Sequence, residues 1–150
     1  MSVERFLDTN ILLYQLEGRD ARKAAIAEDL IRQGIATGNA CISFQVVQEC
    51  MNTALHKARI SLGENDIRRY LQSVLAPLLR VQPTLRLYEA SLDIRSRYRF
   101  AYYDSLIVAA ALDAGCAMLY SEDMQHLQRI GGLTIVDPFK TPPVGCGVGA

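Results

Sequence analysis

The chain has 150 residues, and 16 Lys and Arg residues balance 16 Asp and Glu residues for a formal net charge of +0. Half of the residues are hydrophobic (50%) and 21% are charged, which favours one packed domain and excludes an intrinsically disordered chain. The longest apolar run, residues 106–112, is too short to span a bilayer, and the N-terminus lacks the apolar segment of a signal peptide. We therefore expect a cytoplasmic protein.

The first half of the chain alternates short apolar runs with longer helical patterns, which is typical of a parallel sheet with connecting helices. We predict a strand over residues 3–7, a short helix over 11–16 with Thr9 or Asn10 as its N-cap, and a helix over 20–37 that Gly38 ends. A strand over 40–42 follows, and Ser43 is predicted to cap the next helix. The predicted apolar face of that helix consists of Phe44, Val47, Met51, Ala54 and Leu55.

The second half continues the same alternation. The pattern predicts a helix after Gly63, a strand over 78–81, a helix over 84–98 and an Ala-rich helix over 103–114 that is apolar nearly all round and should be buried. A strand over 117–120, a helical turn over 124–129 and a strand over 133–136 follow. The expected fold is an α/β/α sandwich with a central parallel sheet of about five strands. This domain spans residues 1–139, and the Pro- and Gly-rich residues 140–150 are expected to form a flexible tail.

Three acidic residues fall where open parallel sheets place their ligand sites, at the carboxyl ends of the strands. Asp8 directly follows the first strand, and Asp123 follows the strand over 117–120. Asp104 opens the Ala-rich helix that leads into that strand, so we expect it at the same edge, at the positive end of the helix dipole. A fourth acid, Glu49, lies at the border of an apolar helix face, where a carboxylate is unusual unless it is paired.

A divalent cation is the partner that such a cluster favours. Taken alone, each Asp is more often a helix cap or a turn former, so the interpretation rests on the set of four. If the four converge, their mutual repulsion raises at least one pKa, and a hard cation removes that penalty. Oxygen-only ligands select Mg²⁺ or Mn²⁺, which can activate water and neutralise charge on a phosphate. Glu122 is a rival to Asp123 as a ligand.

The cysteines and histidines point to no second metal site. The four cysteines contain no C-x-x-C pair, and the two histidines do not complete a zinc pattern. Cys41, Cys50 and Cys116 lie in apolar sequence surroundings, so we expect them to be buried as small hydrophobic residues.

Four stretches of sequence, in this order, resemble the PIN domain family and, within it, the single-domain VapC-type toxins of type II toxin–antitoxin systems. The stretches are FLDTNIL at residues 6–12, Gln48-Glu49, YDSLIVAAA at 103–111 and LYSEDM at 119–124. The resemblance covers the chain to about Phe139. It implies a Rossmann-like sandwich, an endoribonuclease that hydrolyses RNA phosphodiester bonds with Mg²⁺ or Mn²⁺, a homodimer, and a cognate antitoxin as partner.

The resemblance also implies roles for individual residues. Asp8, Glu49, Asp104 and Asp123 match the acidic positions that bind the metal ion and carry catalysis. Asn10 matches a polar residue that helps to hold the first acid. Ser121 matches a small polar position that supports the metal ion or its waters.

Basic and aromatic residues near Asp104 are candidates for the RNA surface. Arg95, Arg97 and Arg99 are candidate phosphate-binding residues, although the solvated end of a helix explains them as well. A second candidate group is Arg19, Arg22 and Lys23. The aromatic residues next to the first group either stack on unpaired bases or, as we favour, make core or dimer contacts; they are Tyr98, Phe100, Tyr102 and Tyr103.

Alternative functions stay open. A PIN-like domain can also be a non-catalytic RNA-binding module or scaffold, although such a domain usually lacks one or more of the acids. An RNA-processing nuclease unrelated to toxicity is a further alternative. The balanced charge counts against a nucleic-acid binder, but carboxylates that face a metal ion leave the remaining surface more basic than the total. A phosphatase of the haloacid dehalogenase class is disfavoured because it needs an Asp where Asn10 stands.

Overall fold

The computed structural model describes residues 3–56 and 62–140, and its secondary structure follows the predicted alternation closely. The strands are Arg5–Leu7 (β1), Ala40–Ser43 (β2), Leu79–Val81 (β3), Met118–Tyr120 (β4), Arg129–Ile130 (β5) and Leu133–Val136 (β6). The helices are Thr9–Glu17 (α1), Ala21–Thr37 (α2), Phe44–His56 (α3), Glu64–Tyr70 (α4), Ala76–Leu78 (α5), Leu85–Tyr98 (α6) and Tyr102–Asp113 (α7). A π-helical turn, Leu71–Leu75, joins α4 to α5.

The strands form one sheet in the order β3-β2-β1-β4-β6-β5. Its pairs are parallel except for the last, in which β5 runs antiparallel to β6. At the centre, Phe6 of β1 lies opposite Cys41 of β2 on one side and Leu119 of β4 on the other. The chain moves outward in one direction from β1 to β2 and β3, and in the other direction from β4 to β6. The strand order therefore reverses between β1 and β4, and open α/β sheets bind ligands at the carboxyl end of such a switch point.

Helices cover the sheet on both faces, which confirms the predicted α/β/α sandwich. Phe6 and Leu7 of β1 point to opposite faces of the sheet, and both are buried. The Ala-rich helix α7 is buried along its whole middle, from Ser105 to Ala111, as its apolar sequence predicted. Close packing also fixes a glycine in α2, because a Cβ added at Gly34 would lie 2.5 Å from the Cβ of Ala40.

The predicted helical turn over residues 124–129 is wrong. Leu127 has a φ of 69°, which is incompatible with a right-handed helix, and its N–H donates to the carbonyl of Ile135 at 2.7 Å. The N–H of Ile135 in turn donates to the carbonyl of Gln128 at 2.9 Å. The segment thus pairs with β6 and leads into β5, which makes a sixth strand where about five were expected.

Helices α1 and α3 differ from the prediction, α1 in its N-cap residue and α3 in the residues of its buried face. The N-cap of α1 is Asp8, and not Thr9 or Asn10. The buried residues of α3 are Gln45, Val46, Cys50 and Ala54, whereas Leu55 of the predicted apolar face is 51% exposed. Ser43 ends β2 directly before α3, but its buried hydroxyl has no hydrogen-bond partner among the described residues, so it does not act as a side-chain cap.

Three of the four cysteines lie among the described residues. Cys41, Cys50 and Cys116 are buried free thiols, as predicted, and the Sγ atoms of Cys41 and Cys116 lie 3.7 Å apart. Cys146 and nearly all of the predicted tail, residues 141–150, lie outside the described residues. Within the described part of the chain, no helix is both long and apolar enough to cross a membrane.

Candidate active site at the carboxyl edge of the sheet

Asp8 lies at the switch point, between the end of β1 and the start of α1. Its Oδ1 accepts a hydrogen bond from the backbone N–H of Thr9 and its Oδ2 accepts one from the Ser121 hydroxyl, both at 2.7 Å. The residue is only 6% exposed. Burial raises the pKa of Asp8 from 3.8 to about 7, with smaller contributions from the charges of Asp123 and Glu49, and the two hydrogen bonds oppose this rise. Without a cation, Asp8 therefore keeps a proton over much of the range below neutral pH.

Glu49 reaches the same site from α3. Its Oε1 accepts a hydrogen bond from the hydroxyl of Thr9 at 2.6 Å, directly beside Asp8. The buried Gln45, one turn earlier in α3, donates to Glu49 Oε2 at 3.4 Å and to the carbonyl of Tyr103 at 3.1 Å. Gln45 thereby links α3 to the first turn of α7. Glu49 lies at the border of the buried face, as predicted, and its partners are neutral hydroxyl and amide groups.

Asp104 lies in the first turn of α7, where the positive end of the helix dipole favours a carboxylate. Its side chain is half-buried. Burial raises the pKa of Asp104, and the charges of Asp123 and Glu49 raise it further. The helix dipole does not cancel this repulsion, since the pKa of Asp104 is raised in spite of it by burial and by the charges of Asp123 and Glu49.

Asp123 follows β4 and is held by groups from β4 and α1. Its Oδ2 accepts a hydrogen bond from the side-chain amide of Asn10 at 2.9 Å, and its backbone N–H donates to Ser121 Oγ at 3.2 Å. Asn10 was expected to hold Asp8 and holds Asp123 instead, because on α1 it points toward the end of β4. Ser121 contacts both ends of the site, since its hydroxyl donates to Asp8 and accepts from Asp123.

The four predicted acids thus form one electrostatic cluster with little compensation. Asp123 and Glu49 each act on the pKa of both Asp8 and Asp104. The ion pairs found among the described residues involve none of these four carboxylates. Their hydrogen-bond partners include the hydroxyls of Thr9 and Ser121 and the side-chain amides of Asn10 and Gln45. Carboxylate, hydroxyl and amide oxygens are ligands that suit a hard divalent cation.

The spacing of the carboxylates limits the kind of cation site that fits. Among the described residues, no three His, Cys, Asp or Glu side chains are arranged to hold a metal ion together. A closed cage of carboxylates therefore does not fit this conformation. Mg²⁺ commonly keeps several waters and takes only one or two carboxylates directly. The carboxylates present would therefore suit a hydrated ion of this kind better than a fully dehydrated one.

Glu122, the rival to Asp123, is turned away from the cluster. Its carboxylate accepts hydrogen bonds from the Tyr14 hydroxyl and from the Lys23 ammonium group. Asp123, and not Glu122, contributes to the raised pKa of Asp8 and Asp104. The geometry therefore brings Asp123 into the acidic cluster and gives Glu122 a different set of partners.

Two clefts with lining residues in common open onto Asp123. The first, between α1 and α3, has a volume of about 310 Å³, and its lining includes Thr9, Glu49 and Asp123. The second, beside the turn from α1 to α2, has a volume of about 400 Å³ and touches only Asp123 among the four acids. The clefts share Asn10, Leu13 and Asp123. An extended substrate thus has room on both sides of the acidic cluster.

The two groups of basic residues that were predicted to contact phosphate differ in how many of their side chains already have other partners. Arg95, Arg97 and Arg99 are exposed at the end of α6, and Arg97 lies 5.6 Å from the ring centroid of Tyr98. In the second group, Arg22 donates to the carbonyl of Phe139 at 2.6 Å and Lys23 pairs with Glu122. Only Arg19 of that group is exposed at the second cleft.

The aromatic residues near Asp104 separate into two kinds. Tyr98, Phe100 and Tyr102 pack against the hydrophobic core, as favoured from the sequence. Tyr103 is 66% exposed, directly beside Asp104.

Thr9 and Gln45 are the site residues that sequence reasoning missed. Thr9 stood in the motif that identified Asp8, but its hydroxyl was considered only as a helix cap. Gln45 lies four residues before Glu49, so the spacing of one helical turn was the signal that pointed to it.

The fold and the site together define the class. A parallel sheet with helices on both faces carries an acidic cluster at its switch point, so the protein is a Rossmann-like α/β/α domain with a carboxylate site. The chain belongs to the PIN domain family, whose model matches residues 5–133. A comparison with curated proteins found no sequence that matches.

Several solved structures share this fold. A toxin–antitoxin complex from Klebsiella pneumoniae has a TM-score of 0.63 at 20% identity, covering 87% of this chain and 96% of the other. VapBC2 from Rickettsia felis, bound to a DNA fragment from its promoter, has a TM-score of 0.62 at 15% identity, with the same coverage of 87% and 96%. VapC20 from Mycobacterium tuberculosis, described as a sarcin–ricin loop cleaving toxin, has a TM-score of 0.58 at 17% identity, covering 80% and 90%. At these identities the likeness shows the fold.

Proposed function

We propose that this protein is an Mg²⁺- or Mn²⁺-dependent endoribonuclease and the toxin of a toxin–antitoxin pair. The observation that carries the proposal is the convergence of Asp8, Glu49, Asp104 and Asp123 at the switch point, where none of the ion pairs among the described residues involves them. The toxin role is supported by the descriptions of the structural neighbours, of which one is a toxin–antitoxin complex, one is VapBC2 and one is a sarcin–ricin loop cleaving toxin. The cytoplasmic location stays a prediction.

The chain's own residues have distinct tasks in this proposal. A bound divalent cation supplies Lewis-acid stabilisation of charge on the phosphate and lowers the pKa of water. Asp8, Asp123 and their partners hold the ion or its waters, since Ser121 and Asn10 fix the orientation of the two carboxylates. Glu49 and Asp104 complete the negative field from α3 and α7. The buried position of Asp8 limits access of bulk water to that side of the site.

The nuclease activity is tested with purified protein and mixed cellular RNA in Mg²⁺, Mn²⁺ or EDTA. We expect discrete products that require the metal ion and disappear in Asp8→Asn. Asp93→Asn is the matched control, because it removes one exposed carboxylate from α6 and leaves the site intact. Cleavage by Asp8→Asn at saturating Mg²⁺ contradicts the metal mechanism. A folded protein that binds RNA and metal but never cleaves is instead a binding module or scaffold.

The toxin role is tested separately, by expression in a growing cell without a partner. We expect growth arrest with the wild type and relief of that arrest with Asp104→Ala. Co-expression of the cognate antitoxin should have the same effect as the mutation. Equal growth of wild type and mutant, together with RNA cleavage in vitro, identifies an RNA-processing nuclease unrelated to toxicity.

The RNA surface in this proposal lies around the first turn of α7. Tyr103 is an exposed aromatic ring beside Asp104, suited to stacking on an unpaired base. Arg95, Arg97 and Arg99 lie just upstream on the surface and suit the flanking phosphates. Replacing the three arginines by Gln should weaken RNA binding and reduce its salt dependence, whereas Arg68→Gln and Arg69→Gln on α4 should change neither.

We also propose a homodimer that uses the exposed apolar face of α6. Leu85, Tyr88 and Leu92 are 75%, 39% and 57% exposed and lie at helical spacing on one face. A second copy that covers this face removes apolar surface from water. We expect a dimer by light scattering and a monomer for Leu85→Glu with Leu92→Glu. A monomeric wild type at high micromolar concentration contradicts this part of the proposal.

A further inference from the structure

Glu122 is bound from two helices that carry no acid of the cluster. The Tyr14 hydroxyl of α1 donates to its Oε1, and the Lys23 ammonium group of α2 donates to its Oε2. Lys23 also donates to the Tyr14 oxygen at 3.3 Å, so the three side chains form a closed triangle of hydrogen bonds. The side chains of Lys23 and Glu122 are only 27% and 25% exposed. We call these three residues the Lys23 triad.

Aromatic rings fix the ammonium group in this place. Lys23 Nζ lies 5.1 Å from the ring centroid of Tyr14 and 5.4 Å from that of Phe139. The two rings contact each other edge to face, with centroids 5.0 Å apart. A cation held between two rings gains a cation–π interaction with each of them and loses side-chain freedom. The position of Glu122 is therefore specified by its surroundings and is not that of a mobile surface ion pair.

The Lys23 triad is connected to Asp123 through the backbone. The N–H of Glu122 donates to Asn10 Oδ1 at 3.4 Å, and the amide group of the same Asn10 donates to Asp123 Oδ2 at 2.9 Å. The amide of Asn10 thus bridges the backbone of Glu122 and the carboxylate of Asp123. A displacement of Glu122 therefore moves the peptide that leads to Asp123 and the N–H donor that orients the Asn10 amide.

We propose that Lys23, Tyr14 and Glu122 are positioning residues that hold Asp123 for the divalent cation by locking the segment after β4 onto α1 and α2. The inference rests on the proposed metal-dependent function of the acidic cluster. It also gives Lys23 a different role from the phosphate contact that the sequence suggested, because its ammonium group is already engaged by Glu122 and Tyr14. Outer hydrogen-bond partners of metal ligands typically change metal affinity by about 10- to 100-fold when they are mutated.

The test compares Lys23→Met and Tyr14→Phe with Arg32→Met. Arg32 lies on the same helix as Lys23 and pairs with Glu28 at 2.9 Å, but that pair is exposed and shares no residue with the triad, so the control removes an equal charge. Mn²⁺ affinity is measured by titration calorimetry. RNA affinity in EDTA and thermal unfolding are measured on the same samples. We expect Lys23→Met to weaken Mn²⁺ binding about 10-fold, with RNA affinity in EDTA equal to that of the Arg32→Met control.

Further variants separate positioning from general stability. Lys23→Arg keeps the charge and the ring contacts, so it should recover most of the Mn²⁺ affinity. Combining Lys23→Met with Glu122→Gln should cost no more affinity than Lys23→Met alone, because the triad is already broken. Unchanged Mn²⁺ affinity in folded Lys23→Met overturns the inference. Weaker RNA binding in EDTA with unchanged Mn²⁺ binding also overturns it and identifies Lys23 as a phosphate contact.

A metal-free readout distinguishes failure of the positioning role from failure of the proposed function. The side-chain amide resonance of Asn10 in EDTA reports the contacts of Asn10 with Glu122 and Asp123. We expect this resonance to shift in Lys23→Met and to stay in place in Arg32→Met. If the wild type binds no Mn²⁺ but the resonance shifts, the metal-dependent function is wrong and the lock on Asp123 stands. An unmoved resonance shows that Lys23 does not position this segment.

Discussion

Replacing Asp8 by Asn is expected to inactivate the protein and, in the absence of metal, to stabilise it. Asp8 is buried, and burial raises its pKa from 3.8 to about 7. Ionising this carboxyl in the folded protein is therefore unfavourable by about 4 kcal/mol relative to the unfolded chain, at about 1.36 kcal/mol per tenfold change in proton affinity. Asn carries no charge, so it avoids this cost at every pH.

The pH dependence follows from the direction of the shift. Because the pKa of Asp8 is higher in the folded protein, its protonated carboxyl favours the folded state. This contribution to stability is complete below pH 3.8 and is lost as the pH rises toward about 7. Asn also loses one acceptor for Ser121, which costs about 1 kcal/mol. We therefore expect Asp8→Asn to exceed the wild type by about 2–3 kcal/mol near pH 8 and to lose that advantage near pH 5.

The assay is urea unfolding of the wild type, Asp8→Asn and Asp93→Asn in EDTA at both pH values. Asp93→Asn is expected to follow the wild type, because it removes a charge that is exposed on α6. Adding Mn²⁺ at the higher pH should raise the stability of the wild type and not that of Asp8→Asn. The reasoning about burial is refuted if Asp8→Asn is less stable than the wild type near pH 8. It is also refuted if the difference in unfolding free energy between the two proteins is the same at both pH values.

Substitutions at three further positions test the fold and the proposed RNA surface. Gly34→Ala should lower stability by about 1–2 kcal/mol, since the new Cβ would lie 2.5 Å from that of Ala40. This clash outweighs the higher helix propensity of Ala, and a more stable variant would contradict the prediction. Thr84→Ala should cost about 1 kcal/mol because the Thr84 hydroxyl accepts from Leu87 N–H at 3.1 Å, while Thr84→Ser should cost little in the same unfolding assay. Tyr103→Ala should weaken RNA binding by about 1–3 kcal/mol in anisotropy titrations, whereas Tyr103→Phe should retain affinity.

The parallel sheet and the position of the acids could be predicted because each has a strong local signal. The strand over 133–136 is bounded by glycines and a proline, and the structure has it at Leu133–Val136. The carboxyl-end rule placed Asp8 and Asp123 correctly, since it depends only on strand direction. The rule also allowed the two acids to lie close together if β1 and β4 were neighbours, and the sheet order makes them so.

Details that depend on side-chain direction could not be predicted from the sequence. Asn10 holds Asp123 and not Asp8, because that choice depends on the position of β4 relative to α1. The buried face of α3 is rotated from the most apolar one, since Gln45 is buried through its bond to the carbonyl of Tyr103. Residues 124–129 had a helical composition, but tertiary pairing with β6 determines their backbone.

The distribution of charge reconciles a formal net charge of +0 with the proposed action on RNA, which is a polyanion. Four carboxylates lie at one edge of the sheet, while the Lys23 ammonium group is already paired with Glu122. Without a bound cation, the acidic cluster would repel phosphate, and the exposed arginines at the end of α6 would attract it to the neighbouring surface. Under the proposed function, an RNA phosphate would approach the carboxylates only after a cation had offset their charge. We accordingly expect the cation to bind before the phosphodiester, and the raised pKa of Asp8 to fall when it does.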